Sequence, residues 1–223
     1  MIWEKLPESL KIKEVKPYYD ILKRRWTARL FKRLFDITAS SVLIILLLPI
    51  MFIIGLAVKC DSFGPAIYKS RRITRYGRPF TIYKFRTMKW GNKGSTLTAS
   101  EDERITRIGK FLRPYRLDEL PQLFNVIKGE MSFVGPRPES EEFVRMYSGE
   151  MLATLLLPAG ITSKASIAFK NEDKILKKYG KKGIPPEEAY IKYILPKKAA
   201  LNLEYIKSFG FFSDILICIK TLF

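Results

Sequence analysis

The sequence predicts an α+β fold, a small α/β domain held at a membrane by a re-entrant helix hairpin and by amphipathic helices lying in the interface. Three observations carry that prediction. Residues 37–58 run without a single charge, close to the roughly 20 apolar residues that a helix needs to cross a bilayer core. Residues 66–73, 79–85 and 131–134 are short, β-branched or aromatic segments bounded by Gly, Pro or Asn, which reads as strands. Stretches at 21–35, 197–207 and 211–223 mix basic and apolar residues at helical spacing, the pattern of helices resting on an anionic surface.

The 223 residues suffice for one domain plus a membrane element, and 47% hydrophobic content is enough for a core. The division expected is a basic N-terminal extension at 1–30, a lead-in and membrane helix at 31–60, and a cytoplasmic domain at 61–223. Forty Lys and Arg against 22 Asp and Glu give +18, a field that attracts anionic lipid, nucleic acid and phosphorylated substrates alike. There is no His. Ser-His-Asp and His-ligated zinc chemistry are thereby excluded, and carboxylates remain as the reactive groups. Cys60 and Cys218 form neither a disulfide framework nor a CxxC site, which suits a reducing compartment.

Taken in order, residues 1–30 show no clear core pattern and end in Lys23, Arg24, Arg25 and Arg29; no signal peptide is expected there. From 21 to 35, Leu22, Trp26, Leu30, Phe31 and Leu34 alternate with cations, with a solvated basic helix as the alternative to an interfacial one. The apolar run has Lys32 and Arg33 before it and Lys59, Lys69, Arg71 and Arg72 after it, and basic flanks stay on the cytoplasmic side. With both ends on one face, Pro49 is the bend of a helix that dips in and returns, Ser40 or Ser41 serving the carbonyl that the proline frees.

Residues 66–73 and 79–85 form a hairpin about Tyr76-Gly77-Arg78, with Phe80 and Ile82 on one face. Lys84 and Arg86 share that face, aimed at a phosphate or at a solvated edge. Residues 90–102 are a polar loop, and 104–112 a helix carrying Ile105, Ile108, Phe111 and Leu112 that Pro114 stops just after Arg113. Leu120, Leu123, Phe124 and Ile127 then mark the buried face of a helix ending at Gly129, so Asp118 and Glu119 fall at its start with Pro121 in the first turn. The dipole would hold both acids ionised, ready as nucleophile or metal ligand, although acids are common helix openers in any protein. In Gly135-Pro136-Arg137-Pro138 two prolines fix the backbone around one guanidinium, which suits a phosphate.

These residues carry a resemblance. LDELPQLFNVIKGEMSFVGPRP at 117–138, with KRLFD at 32–36 and IYKFRTM at 82–88, closely resembles the signature of the bacterial sugar transferases, the monotopic polyprenyl-phosphate phosphoglycosyl transferases, from about residue 31 to the C-terminus. The resemblance implies transfer of a sugar-1-phosphate from a nucleotide diphosphate sugar, expected to be a UDP-sugar, to polyprenyl (undecaprenyl) phosphate, the first membrane step of surface glycan synthesis. It implies Asp118 as nucleophile and Arg113 on a substrate phosphate; beside these, Glu119 with Asp118 is expected to hold Mg2+, Arg137, Lys84 and Arg86 are the further candidates for substrate phosphates, and Pro49 is the membrane bend. The partners expected are the nucleotide-sugar donor, the polyprenyl phosphate acceptor and membrane lipids; downstream glycosyltransferases and a homodimer stay open, and nucleic acid is not expected. The place expected is the cytoplasmic face of the bacterial inner membrane.

The chain departs from the family pattern in four places. Leu48 stands where relatives usually have the Ser of a Ser-Pro bend. Residues 158–162 are a shared turn, but 163–170 replace the run expected to meet the nucleotide-sugar, so the resemblance does not extend to the sugar. Residues 171–186 read as a solvated insertion, and Asn202 replaces an aspartate common in relatives. Two other classes remain at this stage: a membrane-anchored, metal-dependent nucleotide-sugar hydrolase, and a non-enzymatic basic module binding anionic lipid or nucleic acid.

Overall fold

In a computed structural model the chain is described over residues 1–91 and 103–222. Most of the polar loop expected at 90–102, and Phe223, lie outside the described residues. The fold is mixed helix and sheet, and one apolar helix near the N-terminus dominates its outline.

Single turns at Trp3–Lys5 and Glu8–Leu10 lead into α1 (Lys16–Arg24). Although 1–30 shows no sequence periodicity, Leu6, Leu10, Val15, Tyr18, Tyr19 and Leu22 are buried against Val134, Leu156, Leu203 and Ile206 from the far half of the chain. The two short turns rotate the inward face from one residue group to the next, so no single period runs through it. The continuous helix expected over 21–35 is interrupted. Arg25 leaves helical geometry at φ −94°, ψ 38°, and its guanidinium donates to the carbonyl of Phe209.

The long helix α2 (Trp26–Asp61) has 36 residues and contains Pro49. Among the described residues it is the one helix long and apolar enough to cross a membrane. It buries Lys32, Asp36, Ser40, Met51, Ile54 and Val58. Leu30, Phe31, Ile45, Leu46, Phe52 and Ile53 stay exposed, an apolar surface that water disfavours and lipid accepts. Ser40 does not serve Pro49: its hydroxyl donates to the carbonyls of Asp36 and Ile37, one turn back on its own face.

Strands β1 (Ile67–Ile73) and β2 (Pro79–Phe85) form the expected antiparallel hairpin, with Ile67 opposite Phe85 and Ile73 opposite Pro79. Tyr76, at φ 64°, makes the turn with the guanidiniums of Arg75 and Arg78 both over its ring. Helix α3 (Arg107–Leu112) starts at Thr106, whose hydroxyl accepts from the amide of Gly109. A side chain at Gly109 would collide with the carbonyl of Thr87, so only glycine lets α3 lie this close. Helix α4 (Gln122–Lys128) ends at Gly129 in the left-handed region, and β3 (Met131–Val134) follows.

After α5 (Glu141–Val144) and a 3-10 stretch (Gly149–Leu156), the segment expected as a turn at 158–162 is instead β4 (Ala159–Thr162), paired in parallel with β3. Four residues that include a glycine show no alternation of their own, and the pairing is created by a strand two dozen residues away. Then come α6 (Lys164–Ala168) and α7 (Glu172–Gly180). Helix α8 (Pro186–Ala189) runs through a π turn at Tyr190–Ile194 into α9 (Leu195–Lys207), and α10 (Phe211–Leu222) closes the fold. The supposed solvated insertion is structured: Leu176 of α7 packs with Phe143, Ala189, Tyr190, Ile194 and Leu195 in a second core. Nor does α9 lie in an interface, since Leu195, Ala199, Leu203, Tyr205 and Ile206 are all buried. Of the last two helices, it is α10 that keeps an exposed apolar face, formed by Phe212, Leu216 and Ile219.

Candidate active site

The site is assembled where α4 docks on β2. Asn125, fully buried on α4, accepts from the amide of Tyr83 at 3.2 Å and donates to the carbonyl of Thr81 at 2.7 Å and to Glu130 at 2.7 Å. That clamp sets the neighbouring Lys84 opposite the acids, and its Nζ lies 2.6 Å from Glu119 Oε1.

Asp118 and Glu119 do not open α4. They sit in a separate 3-10 turn (Leu117–Glu119), entered through Arg116 at φ 54° and closed by Leu120, after which Pro121 occupies the N-cap position of α4. A non-glycine residue in the left-handed region costs of order 1–3 kcal/mol and persists only where its surroundings hold it. Because α4 begins at Gln122, its buried side is Gln122, Leu123, Asn125 and Val126, while Phe124 and Ile127 are exposed.

The two carboxylates are not held alike. Burial pushes Asp118 up to about 6; Lys84 and Arg113 oppose that rise and Glu119 adds to it. Burial acts on Glu119 in the same sense, but Lys84, Arg137 and Arg116 outweigh it and bring Glu119 down to about 2. A helix dipole holding both ionised is therefore replaced by a split pair, one firmly anionic and one poised near neutrality. Titratable neighbours whose surroundings push them apart in this way are a candidate acid–base or nucleophile pair.

Arg113 donates from Nε to Thr87 Oγ1 at 3.0 Å, which fixes the guanidinium beside Asp118. The turn holding Arg137 is rigid for a reason beyond its prolines. Gly135 donates to the carbonyl of Thr162 and Gly160 to that of Pro136, and a side chain on either glycine would strike the backbone of the other strand. Burial disfavours the Arg137 cation, but Glu119, Glu139 and Glu172 more than offset it and raise its pKa. Behind Arg137, Tyr190 donates to Glu139 at 2.7 Å, and the buried Lys198 lies 2.5 Å from Glu172 and 3.9 Å from Glu139.

The structure thus brings Asp118, Glu119, Lys84, Arg113 and Arg137 together. Arg86 goes elsewhere: 2% exposed, it donates to the carbonyls of Val58, Ser62 and Phe63 and so closes the C-terminal end of α2. Pro49 lies within α2. Sequence reasoning missed Thr87, Arg116, Glu172 and Lys198. The Thr next to Arg86 was visible in the motif, but nothing local marks residues of α7 and α9 as neighbours of Arg137. Among the described residues no three His, Cys, Asp or Glu side chains converge as a metal site. Two adjacent carboxylates, one of them bound to a displaceable ammonium, do suit a magnesium ion shared with substrate phosphate, which needs only one or two protein ligands.

The model of the family described as bacterial sugar transferase matches residues 27–223. An Escherichia coli (strain K12) protein named UDP-glucose:undecaprenyl-phosphate glucose-1-phosphate transferase is 36% identical over 202 residues, which is 87% of this chain and 40% of that protein. An Aeromonas hydrophila UDP-N-acetylgalactosamine-undecaprenyl-phosphate N-acetylgalactosaminephosphotransferase is 34% identical, covering 86% of this chain and 42% of that protein. The exopolysaccharide production protein ExoY of Rhizobium meliloti (strain 1021) is 31% identical over 86% of this chain and 83% of its own length. The chain spans about two fifths of the length of these first two relatives. With the match running through nearly all of the long apolar helix and the whole site, the chain belongs to the bacterial sugar transferase family.

Proposed function

We propose that the chain transfers a sugar-1-phosphate from a UDP-sugar to undecaprenyl phosphate at the cytoplasmic face of the bacterial inner membrane, initiating a surface glycan. The observation that carries this reading is the buried Asp118 with a pKa near 6, faced by Lys84 and Arg113, on a domain attached to a long apolar helix. The names of the relatives support the donor and acceptor classes. An Asp118 oxygen attacks the phosphorus next to the sugar, the bond to the bridging oxygen breaks, and UMP leaves. A phosphate oxygen of the lipid then attacks the same phosphorus and frees the carboxylate. Lys84, Arg113 and Arg137 neutralise charge on the phosphates during both displacements. Magnesium held by Glu119 and Asp118 would supply further charge neutralisation at the diphosphate. The test is incubation with a panel of UDP-sugars, undecaprenyl phosphate and magnesium, following UMP release and label in lipid. Label that stays in water-soluble sugar phosphate would mean hydrolysis instead.

Replacing Arg137 by Lys keeps the charge but loses the two-point grip on phosphate, and should slow transfer more than about tenfold, roughly 1.4 kcal/mol of barrier. A Lys variant near the wild-type rate would make Arg137 structural.

The membrane helix is read as re-entrant, bent at Pro49, with 61–223 on the cytoplasmic side. Straight, the helix would separate Arg33 from Val58 by about 38 Å. Yet Arg33 donates to the carbonyls of Val126 and Ile127 on α4, and Val58 accepts from Arg86 at the end of β2, which supports a bend between them. In a Cys-free background, single cysteines at Ser9 and Lys181 should both react with an impermeant maleimide only after cells are opened. Labelling at Ser9 in intact cells would establish a spanning helix.

A further inference from the structure

Helix α9 carries a lysine on its buried face. Lys198 is 4% exposed, while its neighbour Lys197 is open to water. A lysine this deep is almost never found unless it is paired. Its Nζ lies 2.5 Å from Glu172, the first residue of α7, and 3.9 Å from Glu139, and it donates to the Tyr190 hydroxyl at 3.1 Å. Tyr190 in turn donates to Glu139 at 2.7 Å and opens the π turn between α8 and α9, a form frequent at functional sites.

Glu139 and Glu172 are also two of the carboxylates that, against the effect of burial, favour the charge on Arg137. Yet among the described residues Arg137 closes no ion pair with either of them; the close partners of these acids are Lys198 and Tyr190. Two buried acids between two cations balance in charge. Without Lys198 the same acids would face a single guanidinium, and an uncompensated buried carboxylate is unfavourable enough to draw that guanidinium onto itself. The planar fork of an arginine locked on a carboxylate is the same fork that would grip a phosphate, so it can serve only one of them at a time.

We propose that Lys198 is a positioning residue for the donor: it occupies Glu172 and Glu139, so that the guanidinium of Arg137 stays open to a phosphate of the nucleotide sugar. This role rests on Arg137 being a phosphate ligand, as proposed above. It gives the members of the network opposite signs, since losing the lysine closes Arg137 while losing an acid does not.

UDP, which carries the donor's two phosphates without its sugar, is titrated calorimetrically into the full chain in detergent micelles. Lys198→Met should weaken UDP binding about tenfold, a coupling usual between members of one charge network. Adding Glu172→Gln removes the carboxylate left over and should restore affinity to within about threefold of wild type. Tyr190→Phe, nearly equal in size, releases Glu139 and should weaken UDP about threefold, and it carries the test should Lys198→Met not fold. In an Arg137→Gln background, Lys198→Met should cause no further loss, because it acts through the arginine. Wild-type affinity in Lys198→Met, or in Tyr190→Phe where the lysine variant does not fold, would overturn the role while a loss in Arg137→Gln left the phosphate ligand in place. A second loss of equal size on top of Arg137→Gln would also overturn it and make the lysine structural. Unchanged affinity in Arg137→Gln would overturn the phosphate ligand itself, and the role of Lys198 with it.

Discussion

Asp118→Asn is expected to abolish turnover and, at the same time, to make the protein more stable. An amide is not a nucleophile towards phosphorus, so the rate should fall by about 10³-fold or more, at least roughly 4 kcal/mol of barrier. The stability gain follows from linkage. The Asp118 carboxyl is raised from 3.8 to about 6 in the fold, chiefly by burial, so the folded state favours its protonated form. The contribution of such a group to stability is fully present below pH 3.8 and is lost as pH rises through 6, leaving ionised Asp118 a net cost at pH 7. At 1.36 kcal/mol for each pKa unit that cost is at most about 3 kcal/mol, and asparagine removes it. Thermal melts in EDTA should therefore show the variant above wild type at pH 7.5 and level with it near pH 4. Intact mass after incubation with donor alone should show a phosphosugar adduct on wild type and none on the variant. An adduct on both would move the nucleophile elsewhere. The same poise predicts a wild-type rate that falls about tenfold per pH unit below 6.

Lys84→Gln should have the second largest effect, a loss of about 100-fold or more at pH 7, roughly 2.7 kcal/mol. Lys84 bonds Glu119 at 2.6 Å and is the strongest influence opposing the effect of burial on either acid. Without it both protonated forms are favoured, and the acid limb of the pH–rate profile moves above 6, so that less of Asp118 is ionised at pH 7. Raising the pH to 8.5 should recover part of the loss, and Lys84→Arg should recover more. A profile whose acid limb stays in place would show that Lys84 acts only on substrate. A purely structural role for the pair is distinguished by the melting temperature, which would then fall with the activity.

The sequence by itself determined the features whose causes are local. The uncharged run at 37–58 is a long apolar helix because its own composition excludes water, and the β1–β2 hairpin forms where the chain turns at Tyr76-Gly77. The motif around Asp118 and Arg137 was legible, since adjacent acids and a proline-bracketed arginine stand out wherever they fold. Tertiary structure decided what those residues experience. Asp118 and Glu119 are neighbours in the chain with nearly the same intrinsic acidity, and only burial, with Lys84 from a strand 34 residues away and Arg137 from the turn that follows β3, separates them to about 6 and about 2. Arg86 looked like its neighbour Lys84, two positions along the same strand face, yet the carbonyls left open at the end of α2 claimed it. Residues 1–25 and α9 read as polar or interfacial because their inward faces are completed by each other, in a core that neither half shows alone. A charge or an apolar side chain is a property of one residue, whereas its desolvation and its partner are set by whatever the fold brings within a few ångströms, and no local pattern in the chain records that.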